Sequence, residues 1–349
     1  MSHNRITPLN SPFIIKTIDM CTAGDPARIV QSRYPDIKGA TILDKLHYAE
    51  NHLDHLRKLV IQEPRGHHEM YGMVPVKSDL DEADMAVLFI NSAGYTRMCN
   101  HCAIALGRYA VDHGIVKGVS PETIVKIQCP CGLVTAHVEY QDGKAGAVRI
   151  DSVPCFVFAA DLTVNLAGYG TIHYDIAYGG SYFIYTDITQ FGLDIHSSPA
   201  SHIVSEALKL KAAVVASVTL THPVQDELAF FSAVYFYCGS LESLSDTISE
   251  LCIYDDTVCR SPCGSGCSGF LALLYHRRLF KEGEVKKFVN SKTRSSFNGK
   301  IVKQVKVKDT PAVIVEISGK GYYTGECIPS TVNKMTLNLH FLLNSNIYK

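Results

Sequence analysis

Two stretches of this chain follow one plan, and that repeat limits what the chain can fold into. "MCNHCAIALGRYAVDHG" (98–114) and "SPCGSGCSGFLALLYHRRLFKEG" (261–283) each set down a cysteine, two or three small or polar residues, and an amphipathic run that closes on glycine. Ile104, Ala105, Ala110 and Val111 supply helical spacing in the first, and Phe270, Leu271, Leu273, Leu274 and Phe280 in the second. The leading cysteines, Cys99 and Cys263, stand nearly half the chain apart. The repeat predicts two similar α/β halves, each presenting a thiol at a helix N-terminus.

The remaining pattern is rich in strands. "AVLFIN" (86–91), "TIVKIQC" (123–129), "SYFIYTDI" (181–188), "LAFFSAVYFY" (228–237) and "AVIVEIS" (312–318) are β-branched or aromatic runs bounded by turn residues. "LVTAHVEY" and "AVRIDSV" flank Asp142-Gly143, a hairpin turn. A third helix is expected over 201–212 with Ser201 as its cap. A chain of 349 residues is long enough for two cores.

A net charge of −1 and a sequence pI of about 6.9 advertise no nucleic-acid or lipid surface, so a small neutral or zwitterionic ligand fits better than a polyanion. The N-terminus has no apolar core of signal-peptide length, and runs such as "AAVVASV" (212–218) are too short to span a bilayer. A cytoplasmic protein is expected, whose twelve cysteines stay as free thiols and form no disulfide framework.

A thiol at a helix N-terminus feels the positive end of the helix dipole, which favours the thiolate. The free N–H groups beside it can hold a carboxylate. Two such starts facing across a cleft could take a proton from the carbon α to a carboxylate and return one to the opposite face, inverting the centre without a cofactor. If the second group cannot donate and the substrate carries a leaving group β to the carboxylate, the same first step ends in elimination.

Plainer readings compete. Cys99 and Cys102, with Cys129 and Cys131, have spacing that a zinc site could use. One pair opens a helix while the other ends a strand at Pro130, so no metal is expected. Cys102, Cys131, Cys155, Cys252 and Cys267 read as packing thiols, His67 and His68 as residues that shape a turn, and Arg260 and Ser261 as the cap and N-terminal support of the second helix.

Several ordered motifs together resemble the proline racemase family, which includes proline racemases, 4-hydroxyproline 2-epimerases and trans-3-hydroxy-L-proline dehydratases. "TIDMCTAGDPARIV" (17–30) is similar to the family's opening His-Thr-x-Gly-Glu-Pro segment and "EPRGHHEMYG" (63–72) to its Pro-Arg-Gly-His block. "MCNHCAIALGR" resembles its Met-Cys-Gly-His helix start, and "IAYGGSYF" (176–183) and "CRSPCGSG" (259–266) its later blocks. The resemblance implies Cys99 and Cys263 as the acid/base pair. It implies Asn100, His101, Gly264 and Ser265 as the holders of the substrate carboxylate, and Tyr71 as a wall of the ring pocket. Cys259 stands where the family has the aspartate that takes the substrate's amino group, Cys21 stands for the opening histidine, and Asn100 for a glycine. The tail, "CIPSTVNKMTLNLHFLLNSNIYK", lacks the family's Asp-Pro-Leu element.

The implied fold is α/β (α+β): two pseudo-symmetric domains like diaminopimelate epimerase, each a central helix wrapped by a curved, mostly antiparallel sheet. The expected domains are 1–160 with 325–349, and 161–324, with the site in the cleft between them and a homodimer possible. The implied activity is cofactor-independent racemisation or 2-epimerisation of proline or a hydroxyproline. "IQCPCGLVTAHV" (127–138), "THPVQDELAF" and "VIVEISGKGYYTG" resemble the animal dehydratases instead, which implies elimination of water as the alternative, and a non-catalytic imino-acid-binding homologue is a third.

Overall fold

The computed structural model describes residues 15–327, so the reading of the tail falls almost wholly outside it. The N-terminal half opens on the hairpin β1 (Lys16–Thr22) and β2 (Asp25–Ser32). Helices α1 (Ile42–Tyr48) and α2 (Asp54–Ile61) cross over to β3 (Tyr71–Val76), which turns back into β4 (Met85–Asn91). The short β5 (Tyr95–Thr96) leads into α3 (Asn100–Asp112), followed by β6 (Glu122–Cys129), β7 (Gly132–Gln141) and β8 (Lys144–Asp151).

The second half repeats this succession. β9 (Phe156–Leu166), β10 (Gly170–Tyr178) and β11 (Tyr182–Asp187) precede α4 (Ala200–Ser217), which crosses over to β12 (Phe231–Tyr237) and β13 (Thr247–Tyr254). The short β14 (Thr257–Val258) leads into α5 (Gly264–His276), and β15 (Val285–Asn290), β16 (Ser296–Val307) and β17 (Thr310–Gly319) follow. β18 (Gly321–Cys327) returns to pair with β1.

Pairing exposes the repeat. Along β1-β2-β3-β4-β6-β7-β8 the ladders run antiparallel, parallel, antiparallel, parallel, antiparallel, antiparallel. Along β10-β11-β12-β13-β15-β16-β17 the same order recurs. β18 flanks β1 as β9 flanks β10, and antiparallel β8–β17 joins the halves. Pairing thus groups 16–151 and 321–327 around α3, and 156–319 around α5. The divisions read from sequence, 160/161 and 324/325, fall inside β9 and β18.

Each central helix is buried nearly all round, as expected of a helix enclosed by its sheet. Phe270 of α5 packs on the rings of Tyr185, Tyr235 and Tyr237, with Phe288 edge-on beside it. The Gly-Gly pair between β10 and β11 lets that strand turn touch the helix. A Cβ on Gly179 would sit 2.1 Å from the Ser265 carbonyl, and Gly180 has φ +93°.

Two details depart from the sequence reading. α5 stops at His276, where Arg277 caps it and Arg278 turns left-handed at φ +59°, so Phe280 lies beyond the helix. α4 begins at Ala200 after Pro199, leaving Ser201 inside it. All twelve cysteines lie among the described residues and all are free. No described helix is long and apolar enough to cross a membrane.

Candidate active site

The two helix starts meet. Cys99 is the N-cap residue of α3 and Cys263 that of α5. Helix geometry leaves the first N–H groups of each helix, at Asn100 and His101 and at Gly264 and Ser265, without a carbonyl one turn earlier. The starts touch so closely that a Cβ on Gly264 would fall 2.5 Å from the Asn100 Cβ. Asn100 Nδ2 donates to Ser265 Oγ across the junction at 3.0 Å, while the buried Asn100 Oδ1 has no partner among the described residues.

Between the starts lies a space of about 20 Å³, room for roughly one water. Its walls include the expected acid/base pair and substrate-binding residues: Tyr71, Cys99, Asn100, His101, Cys259, Cys263, Gly264 and Ser265. Thr96, Met98, Tyr254 and Ser261 complete the lining. Tyr71, at the head of β3, meets the His101 ring edge-on with centroids 4.8 Å apart.

The thiols differ in environment. Burial and then contact with Cys102 push Cys99 well above the usual thiol range, with His101 opposing from 3.4 Å. Burial would push Cys263 up as well. Hydrogen bonds from Cys252, Cys259, the Tyr254 hydroxyl at 3.3 Å and the Gly266 N–H at 3.3 Å outweigh it and hold Cys263 well below its ordinary value. The two thiols are thus pushed in opposite directions, Cys99 up and Cys263 down. The dipole argument alone expected both to be lowered; at Cys99 burial wins. Behind Cys263, burial pushes the Glu250 carboxyl well above the carboxylate range.

His101 supplies the balancing charge. Burial would lower it, but Cys99 and Asp25 together outweigh that and push it up to about 9. Its Nδ1 lies 3.5 Å from a carboxylate oxygen of Asp25, which is itself buried. Asp25 also accepts from the N–H groups of Arg260 and Ser261, at 3.1 and 2.9 Å, and from the Ser261 hydroxyl. Arg260 and Ser261 are thus held by the β1–β2 turn of the opposite half. The cap of α5 is the Cys263 sulfur itself, which corrects the sequence reading of those two residues.

The sequence reading missed Asp25, although it sits in the quoted "AGDPARIV" segment. Tyr254, on a strand with no motif around it, had no such signal. Cys252, expected as a packing thiol, lies with Cys259 and Cys263 in one group whose sulfurs are all within 4.8 Å of one another. Cys99, His101 and Cys102 form a second such group. Cys129 and Cys131 belong to neither, so the four-cysteine grouping weighed for zinc is not assembled. Cys21 pairs with Pro26 and Tyr322 in the sheet and is not among the residues lining the cleft.

Comparison with known proteins places the whole chain. A profile of the family described as "Proline racemase" matches residues 17–329. The chain is 42% identical over 341 residues to a trans-L-3-hydroxyproline dehydratase of Xenopus tropicalis, covering 97% of this chain and 98% of that protein. It is 35% identical to a proline racemase of Clostridioides difficile, covering 89% of this chain and 92% of the other. Among solved structures, a hydroxyproline epimerase from Agrobacterium vitis with bound trans-4-hydroxy-L-proline superposes with a TM-score of 0.85 at 25% identity, covering 93% of this chain and 95% of the other.

Proposed function

Because the chain belongs to the proline racemase family, we propose that it removes the α-proton of proline or a hydroxyproline and returns a proton to the opposite face, inverting the α-carbon. The observation that carries this reading is the pairing of Cys99 and Cys263, one favoured as thiol and one as thiolate, at two helix starts that meet. In one direction the Cys263 thiolate takes the α-proton while the Cys99 thiol delivers its own from the other side. The reverse direction starts with the proton exchanged, so neither net charge nor cofactor changes over a cycle.

The substrate carboxylate sits against the free N–H groups of Asn100 and His101 and of Gly264 and Ser265, where two helix dipoles and the His101 imidazolium favour negative charge. That charge stabilisation also lowers the acidity barrier at the α-carbon. Cys259 cannot take the ring ammonium as a carboxylate would; the unpartnered Asn100 Oδ1 supplies an acceptor at the same junction. A five-membered ring exceeds a space of about 20 Å³, so the halves part for entry and close on the substrate. Opening breaks the Asn100–Ser265 bond and the bonds from Arg260 and Ser261 to Asp25, among others.

A second reading has its own support. The 42% identical relative is a dehydratase, and a single base, Cys99 once it has given up its proton, suffices to start elimination of a β-hydroxyl. Incubation of proline, trans-4-hydroxy-L-proline and trans-3-hydroxy-L-proline in D2O, followed by NMR, separates the two. Inversion gives α-deuterated product of opposite configuration, whereas elimination gives a pyrroline-2-carboxylate from the 3-hydroxy substrate alone. Cys99→Ser and Cys263→Ser should each cost at least about 100-fold in inversion, while Cys263→Thr spares elimination. Neither exchange nor elimination with any of the three substrates would overturn the proposal.

A further inference from the structure

The second half carries a sulfur cluster that proton transfer does not require. Cys252 lies on β13, Cys259 follows β14, and Cys263 opens α5, yet their sulfurs all fall within 4.8 Å of one another and all three residues are buried. Each is pinned separately. The Cys259 N–H donates to the Cys252 carbonyl at 3.0 Å, and Asn290 Nδ2 donates to the Cys259 carbonyl at 2.8 Å. Cys263 Sγ is flanked by the Gly266 N–H and the Tyr254 hydroxyl.

From this geometry we propose that Cys252, Cys259 and Cys263 form a three-thiolate site for a soft divalent cation of the zinc and cadmium class, with its fourth position open to the cleft. A tetrahedral centre with metal–sulfur bonds of about 2.3 Å sets its sulfurs roughly 3.8 Å apart, so the cluster needs to contract by no more than about 1 Å. Cys259 and Cys263 line the cleft while Cys252 lies behind them, which points the vacant position at the substrate space. The Tyr254 and Gly266 donors serve as outer partners that orient the Cys263 sulfur. The alternative trio is less suited, because the imidazole of His101 already has Asp25 at 3.5 Å and Cys99 at 3.4 Å.

Binding displaces a proton from each ligand thiol not already ionised. It also occupies the Cys263 lone pair that would accept the substrate proton. Occupancy therefore silences inversion, a consequence that rests on the acid/base reading of Cys263, whereas the site itself does not.

The test titrates metal-free protein with Cd2+ and with Zn2+ under reducing conditions, following the ultraviolet thiolate-to-cadmium band and metal content after desalting. One cation per chain is expected, with a band of three-thiolate intensity. Cys252→Ser and Cys259→Ser should each weaken binding by more than about 100-fold, since outer-shell changes alone cost roughly 10–100-fold. Cys102→Ser should leave it unchanged. Tyr254→Phe, which keeps all three sulfurs, should weaken it about 10-fold and serves if a cysteine variant fails to fold. Absence of saturable binding, or binding lost in Cys102→Ser and retained in Cys252→Ser and Cys259→Ser, overturns the site. Stoichiometric zinc that leaves inversion intact would instead overturn the role of Cys263 while the site stands.

Discussion

Replacing Asp25 by Asn tests the electrostatic argument at its most exposed point. In the wild type, His101 is pushed from 6.5 up to about 9 even though burial opposes it, with Cys99 and Asp25 responsible. A full charge 3.5 Å from Nδ1 is worth roughly 4–5 kcal/mol at an effective dielectric near 20. At about 1.4 kcal/mol per pH unit, this sets an upper limit of roughly 3 pH units on how far the neutral isostere lowers the His101 midpoint. A pH titration of ring-labelled histidine by NMR, in wild type and Asp25→Asn, reads the change directly. The reasoning fails if wild-type His101 titrates at or below its ordinary 6.5, or if the variant moves it by less than about half a unit.

The same shift is a stability statement. A histidine whose folded value lies above its unfolded one contributes stability that is fully present below 6.5 and lost as pH rises through about 9. The magnitude is about 3 kcal/mol. Cys263 acts with the opposite sign, since its lowered value gives stability present above the ordinary thiol range and lost as pH falls through the folded value. Urea midpoints taken below 6.5 and near 9, in a Cys263→Ser background with and without Asp25→Asn, give the histidine's part as the difference between the two pH dependences, and Asp25→Asn should flatten the decline.

Two packing changes probe the scaffold. Gly264→Ala places a methyl 2.5 Å from the Asn100 Cβ, so it should cost about 1–3 kcal/mol in denaturant unfolding, and Asn100→Gly in the same chain should restore most of it. Phe270→Ala removes a fully buried ring from among Tyr185, Tyr235 and Tyr237, and should lower stability by about 3–5 kcal/mol by the same measurement.

Much of the site could be read before any coordinates. Helix α3 and the start of α5 were legible because a cysteine, small residues and an apolar 3.6-residue period announce a helix that begins at a site and ends in a core. The Asp142-Gly143 turn was legible because both residues take positive φ, which those residue types tolerate. The end of α5 was not, since Phe280 keeps the period while Arg278 has already broken the backbone. Helices α1 and α2 went unread although Thr41 and Asp44 form a capping box, because the intervening Ala49–Leu53 turn shifts the apolar phase.

The sequence by itself determined the repeat: two helix starts, two thiols, and the residue types beside them that suit a carboxylate. Those are local properties, set by spacing and by side-chain chemistry within one turn of helix. Only the tertiary structure decided which way each thiol is shifted and which groups surround it. Cys99 is raised because burial there outweighs its helix start, and Cys263 is lowered by donors from β13 and from the residue after β14. His101 is raised because burial is outweighed by Cys99, at the start of the same helix, and by Asp25, which reaches it from the start of β2. Burial and Coulomb energy depend on distances between residues far apart in the chain, and those distances exist only once the two halves close on each other.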